Sequence, residues 1–310
     1  MIVEKFLSVR KTCCAALILA LFVAPSALSD QSQDDKKPPA DAQKKEEGKL
    51  PDPKEIEKTR KKQEALQLSP VEALVELVIY YYGSRPQLDK VREAIQEEGN
   101  IRLATDQGDI TGTYTVRAMR REKSWLNLMR TDLDLTPPEA SRPQAGQSIK
   151  YTIAYNGASV WSAQNNQYVS PRPEAIAAYR AQLTHDYTTL LRYKEDGSKI
   201  ELKDPETVVG VQTNVVDLTT AEGEKTRYWI SKSTLRVLHA EYELKLTEGQ
   251  PMVKYRVSYF YTPVKIVQNT LVPSRRVMMQ DGKFAQEMTL TSANYSAKLN
   301  PEIFQHLQGQ

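Results

Sequence analysis

Along this chain apolar residues recur at helical spacing in two places and at every second position almost everywhere else. Ser69-Pro70-Val71-Glu72 forms a capping box with proline at the first helical position. Val71, Leu74, Val75, Val78, Ile79 and Tyr82 then follow as one apolar stripe. Gly83 is placed to end that helix in the left-handed conformation. Ser84 with Gln87 predicts a second cap, Leu88, Val91 and Ile95 a second stripe, and Gly99 its close. Helical spacing returns between Pro173 and Leu191, with Ile176, Tyr179, Leu183, Tyr187 and Leu190.

The remainder alternates with period two. Ile101 to Arg121 reads as two strands around Gln107-Gly108-Asp109, and Ser124 to Leu133 as a third. Pro137 to Gln147 is a polar, proline-containing loop, and Tyr151 to Trp161 a hairpin around Asn156-Gly157. Ala240, Tyr242 and Leu244 alternate with His239, Glu241 and Glu243, and Val253, Tyr255, Val257, Tyr259 and Tyr261 repeat the pattern. Asp281-Gly282 turns a last hairpin, expected beside the Val253–Tyr261 strand. Alternation of this kind gives a sheet with one apolar and one wetted face. Helices followed by a long antiparallel meander with one helical insertion make an α+β fold, not the alternating order of a nucleotide-binding domain. The charged outer face favours a sheet curled around helices over a two-sheet sandwich.

The first 66 residues are of other materials. Lys5, Arg10 and Lys11 precede an unbroken apolar run from Cys13 to Ala24, and Ala27-Leu28-Ser29 supplies small residues at a cleavage site before Asp30. The run is too short to span a bilayer, so 1–29 is read as a cleaved export signal and the mature protein as soluble and exported. The signal contains both cysteines, Cys13 and Cys14, so its removal takes disulfides, cysteine–zinc sites and thiol nucleophiles with it. Residues 30–66 are read as a charged, disordered linker. From Asp30 to Glu64 ten acidic and ten basic residues occur with no aromatic, too little apolar surface to offset ordering entropy. Glu57 and Lys61, spaced i, i+4, predict partial helix at its end. Residues 67–310 are left as a single domain.

Chemistry is sparse. The 42 basic and 39 acidic residues give a net charge of +3, which argues against broad attraction to nucleic acid. His185, His239 and His306 are far apart in sequence and fall in no metal-binding spacing. Asn156-Gly157-Ala158-Ser159-Val160 is followed by Trp161, not glycine, and lies in a hairpin, so it is no nucleophile elbow. Asp132 and Asp134 share one strand face without a third ligand and read as a solvated strand end. Neither catalytic residues, nor a metal, nor a cofactor is assigned.

The ordered features resemble the periplasmic lipoprotein-carrier superfamily, the LolA/LolB type of outer-membrane lipoprotein-sorting protein. The matching pieces are Tyr82-Gly83-Ser84-Arg85 with Leu88 to Ile95, Tyr155-Asn156-Gly157 leading to Trp161, and Val208-Val209-Gly210-Val211. Tyr228-Trp229-Ile230, Thr234-Leu235, Leu271-Val272-Pro273 and Asn294 to Phe304 complete the set. Ser231 stands where many relatives have Asp, and Asn269-Thr270 replaces a usual glycine. The resemblance implies an incomplete antiparallel barrel with helices across its concave apolar face. It also implies lipid acyl chains or lipoproteins as ligands, an envelope protein as a further partner, and peripheral membrane contact. An envelope-stress sensor or protein-interaction module of the same fold is the alternative. The candidate cavity residues are Leu74, Val78, Tyr82, Val91, Ile95, Trp125, Leu128, Trp161, Ile176, Tyr179 and Leu183.

Overall fold

The computed structural model describes residues 52–64, 68–106, 108–120, 127–136 and 148–306. The export signal, linker residues 30–51, Trp125 and the Pro137–Gln147 loop lie outside the described residues. Three helices open the fold: α1 (Pro53–Glu64), α2 (Pro70–Tyr81) and α3 (Arg85–Glu93). A first meander follows, of β1 (Ala94–Thr105), β2 (Gly108–Arg120), β3 (Asn127–Thr136), β4 (Ile149–Tyr155), β5 (Val160–Gln164) and β6 (Gln167–Val169). Helices α4 (Pro173–Thr184) and α5 (Tyr187–Leu191) lead to β7 (Lys199–Val208), β8 (Val211–Thr219), β9 (Lys225–Ser231), β10 (Val237–Leu244) and β11 (Val253–Phe260). The small hairpin β12 (Lys265–Val267) and β13 (Thr270–Val272) precedes β14 (Arg275–Gln280) and β15 (Lys283–Asn294), and a 3-10 turn at Pro301–Phe304 follows.

Thirteen strands form one sheet in the order β6-β5-β4-β3-β2-β1-β15-β14-β11-β10-β9-β8-β7. It is an incomplete antiparallel barrel: β6 and β7 are its two free edges, and the helices lie across its concave face. The Asp281-Gly282 hairpin stands where expected, β14 pairing antiparallel with both β11 and β15. The two meanders meet along one seam, β1 against β15.

The capping box at Ser69 forms as the sequence dictates, with Glu72 returning to the Ser69 backbone. Gly83 takes φ +133, and a Cβ there would stand 2.7 Å from the Asn269 carbonyl oxygen. That close approach lets the Tyr82 carbonyl accept from the Leu271 N–H at 3.2 Å, tying the end of α2 to β13.

Three expectations are corrected. Helix α3 stops at Glu93, so Ile95 and Gly99 belong to β1; Gly99 is a strand residue packed against the Tyr114 ring. Ser84 makes no side-chain cap. The Pro173–Leu191 helix is two, broken where Asp186 takes an extended conformation. The helix expected at the end of the charged stretch forms over Pro53–Glu64, supported by a Glu57–Arg60 ion pair and by the Tyr80 hydroxyl donating to Glu55.

Apolar packing divides into a filled part and a hollow part. Val75, Val78, Ile79 and Tyr82 of α2 meet Tyr187, Leu190 and Leu191 of α5 over Val216, Tyr228, Ile230 and Ala240 of the second meander. The other large cluster joins Ile101, Leu103, Ile110 and Tyr114 to Leu133, Ile153 and Tyr179. The space between the helices and the strands flanking the seam is open.

Candidate functional site

A cavity of about 240 Å³ lies between the concave face of the sheet and the helices. Leu88 and Val91 of α3 line it on one side and Tyr179 and Leu183 of α4 on another. Its floor is Ile95, Ile101 and Leu103 of β1, Val116 of β2, Met129 and Leu133 of β3, Met278 of β14 and Met288 of β15. These floor residues are the inward phase of their strands, set by antiparallel register: Ile101 faces Met288 across the seam, and Leu133 faces Tyr114. Thioethers and branched alkyl groups make a lining that adapts to a flexible apolar guest.

Of the expected residues, Tyr82, Val91, Ile95, Tyr179 and Leu183 line this cavity. Val78 and Leu74 are drawn instead into the filled core, because the α2 stripe packs on α5 and the second meander. Ile176, one turn from Tyr179, packs against the Ile101–Tyr179 cluster. Leu128 and Trp161 are corrected to the outer face. Leu128 is buried on the phase of β3 opposite Met129, Thr131 and Leu133. Trp161 pairs with Ala154 on that same outer phase. The segment after β15 covers this side: the indole N–H of Trp161 donates to the Phe304 carbonyl at 2.8 Å, and Arg130 donates to that of Ile303 at 2.9 Å. Asp132 on this face is not a solvated strand end, since it accepts from Arg117 at 2.6 Å, Arg130 at 2.9 Å and Thr152 at 2.7 Å.

Part of the cavity wall is polar, and sequence reasoning did not find it. Glu97, His185, Asp186, Arg276, Gln286 and Tyr295 all line it. Glu97 is 7 % exposed and receives Arg276 at 3.1 Å and the Tyr295 hydroxyl at 3.1 Å. Burial works against the Arg276 charge, but Glu97 and then Asp186 more than offset it and hold the guanidinium well above its ordinary value. Asp186 in turn accepts from Tyr259 at 3.1 Å and Thr188 at 3.0 Å. The His185 ring stacks on Tyr242 with centroids 4.0 Å apart, and burial lowers its pKa to about 4. A signal did exist in β14, where Arg276 and Met278 share one strand phase. A charge on an inward phase marks either a rim or an interior polar site.

Among the described residues no group of three or more His, Cys, Asp or Glu could hold a metal ion. His239 is engaged with Ser258 at 2.9 Å on the outer face.

Neither a protein-family model nor a curated protein matches the sequence. Solved structures similar in fold include a DUF1329 family protein from Desulfovibrio piger, 14% identical, covering 77% of this chain and 98% of that one, with a TM-score of 0.49. A putative outer membrane lipoprotein-sorting protein domain from Vibrio parahaemolyticus is 12% identical over 71% of this chain and 94% of that one, with a TM-score of 0.45. A LolA superfamily protein from Nitrosomonas europaea is 16% identical over 71% and 96%, with a TM-score of 0.44. The likeness is one of fold.

Proposed function

We propose that this protein is a non-enzymatic binding protein of the periplasm that holds lipid acyl chains, free or attached to a polypeptide, and carries them. The observation behind this reading is the apolar cavity between helices and curved sheet, walled by Leu88, Val91, Leu183, Met129 and Met288. Each buried methylene contributes about 0.8 kcal/mol, so a dozen supply roughly 10 kcal/mol. That is of the same order as the cost of association, about 4–15 kcal/mol, so affinity depends on how many methylenes the cavity takes.

Displacement of a fluorescent fatty acid by saturated chains of increasing length tests this. Affinity is expected to rise about fourfold per methylene until the cavity is filled. Leu183→Glu sets a charge in the cavity and is expected to abolish uptake. Thermal melting beside it separates loss of binding from loss of fold. A folded variant with unchanged uptake removes α4 from the site.

A protein-interaction role is the second reading. It is favoured by the tip of the β7–β8 hairpin, where Val209 is 93 % exposed beside Val208 and Val211. A folded wild type that takes up no chain of any length would transfer the assignment to that reading.

A further inference from the structure

The polar part of the cavity wall is more than a pair of neutralised charges. The Nη2 group of Arg276 is spent on the two carboxylate oxygens of Glu97, at 3.1 and 3.4 Å. Five N–H donors radiate from a guanidinium. Among the described residues no acceptor meets the Nε or Nη1 donors of Arg276, whose side chain is 27 % exposed and lines the cavity. Arg276 pairs with Met288, and Met278 with Gln286, so Arg276 and Gln286 are diagonal neighbours on the inward face. The Gln286 side-chain oxygen is buried and has no hydrogen-bond partner. The hydroxyl of Thr270, a residue only 3 % exposed that also lines the cavity, has none either. Buried polar atoms are costly to leave unmet, and here spare donors of Arg276 and an unmet acceptor of Gln286 adjoin on the wall of one cavity that Thr270 also lines.

We propose that this part of the wall receives the head of the bound amphiphile, and that it selects an uncharged hydrogen-bonding head, such as an ester, amide or alcohol, over a free carboxylate. The inference rests on the acyl-chain reading and names the ligand class for that same site. A carbonyl or hydroxyl oxygen accepts from the spare Arg276 donors, while a head-group N–H or O–H donates to Gln286. A carboxylate is disfavoured because Glu97 already neutralises Arg276 and Asp186 adds a second negative charge. A free acid would bring a third anion beside Glu97 and Asp186, where Arg276 is the nearest cation; of the other arginines on the lining, Arg192 is paired with Asp196 at 3.3 Å and Arg120 stands at the far end of β2.

The test uses the full chain and an uncharged probe, N-phenyl-1-naphthylamine, displaced at pH 9 by hexadecanol, hexadecanamide or hexadecanoate. The alcohol and the amide are expected to displace the probe at concentrations about tenfold lower than the carboxylate, the equivalent of one pKa unit. Gln286→Leu is expected to shrink that preference while retaining the probe. Asp186→Asn removes the surplus negative charge while its side-chain oxygen can still accept from Tyr259 or Thr188, and it is expected to narrow the preference. Where that variant does not fold, the single Gln286→Leu decides. Equal or tighter displacement by hexadecanoate, or a preference unmoved by Gln286→Leu, overturns this inference and leaves chain binding intact. A wild type that binds neither probe nor any of the three ligands overturns chain binding itself.

Discussion

The joint between helix α2 and the sheet can be broken by removing one oxygen. The Tyr82 hydroxyl is fully buried, bonds to the Tyr261 hydroxyl and accepts the Val237 N–H at 3.1 Å. Tyr261 returns to the Val237 carbonyl at 3.0 Å, so three groups close on one another. Tyr82→Phe keeps the ring that lines the cavity and its contacts with Tyr187 and Tyr261. It removes two hydrogen bonds and leaves the Val237 N–H without a partner in a dry site. An orphaned buried donor costs about 1–3 kcal/mol, and a net hydrogen bond is worth about 0.5–1.5 kcal/mol, so the expected loss is about 3 kcal/mol. At roughly 2–4 °C per kcal/mol for a domain of this size, the melting temperature should fall by about 6–12 °C. Denaturant melts would give the free energy directly. Tyr261→Phe is the companion: it leaves the buried Tyr82 O–H without its acceptor and the Val237 carbonyl without its donor, and should lose a similar amount. A Tyr82→Phe protein within 0.5 kcal/mol of wild type, in the range of an ordinary surface change, would refute the claim that this network holds α2 in place.

Other outcomes follow from the same structure. The neutral His185 has a folded pKa of about 4 against an ordinary 6.5, so between those values the unfolded chain binds more protons. Stability should therefore be complete above pH 6.5 and fall as pH drops towards 4, by about 3 kcal/mol in all. His185→Gln should flatten the curve between pH 6.5 and 5, above the range of most carboxylates, and an identical slope in the variant would reject the assignment. Val209 takes φ +48 at the exposed tip of the β7–β8 hairpin, a conformation costly for a β-branched residue. Val209→Asn should raise the melting temperature by about 2–4 °C, corresponding to about 1 kcal/mol; calorimetry showing no gain would count against strain there.

The strands were legible because alternation, Asn-Gly and Asp-Gly are local signals, and the meander needs little else. The α2 stripe and its capping box were equally plain. What period two does not reveal is which phase faces inward. Trp161 and Leu128 carry large apolar side chains on the outer phase, and only the returning segment around Phe304, far away in sequence, makes that side dry. The α3 boundary was hidden for another reason. Leu88, Val91 and Ile95 are spaced as a helix, yet Ile95 also begins the inward series that continues through Glu97. Pairing with β2 and β15 decides between the two, and pairing is not local. The polar part of the cavity wall escaped for the same cause: Glu97, Asp186 and Arg276 come from three separate parts of the chain and are ordinary surface residues until the fold assembles them.

That assembly depends on the seam between the first strand and the last. Glu97 and Tyr295, hydrogen-bonded across it, are 198 residues apart. Each meander can form from neighbouring hairpins, but the seam must wait for β15, and contacts this distant form slowly. The cavity floor spans the seam, with Ile101 and Leu103 on one side and Met278 and Met288 on the other. A nascent chain that has not yet added β15 holds Ile101, Leu103 and Met278 but neither Met288 nor the seam, and encloses nothing. An enclosed cavity is therefore a property only of the finished polypeptide.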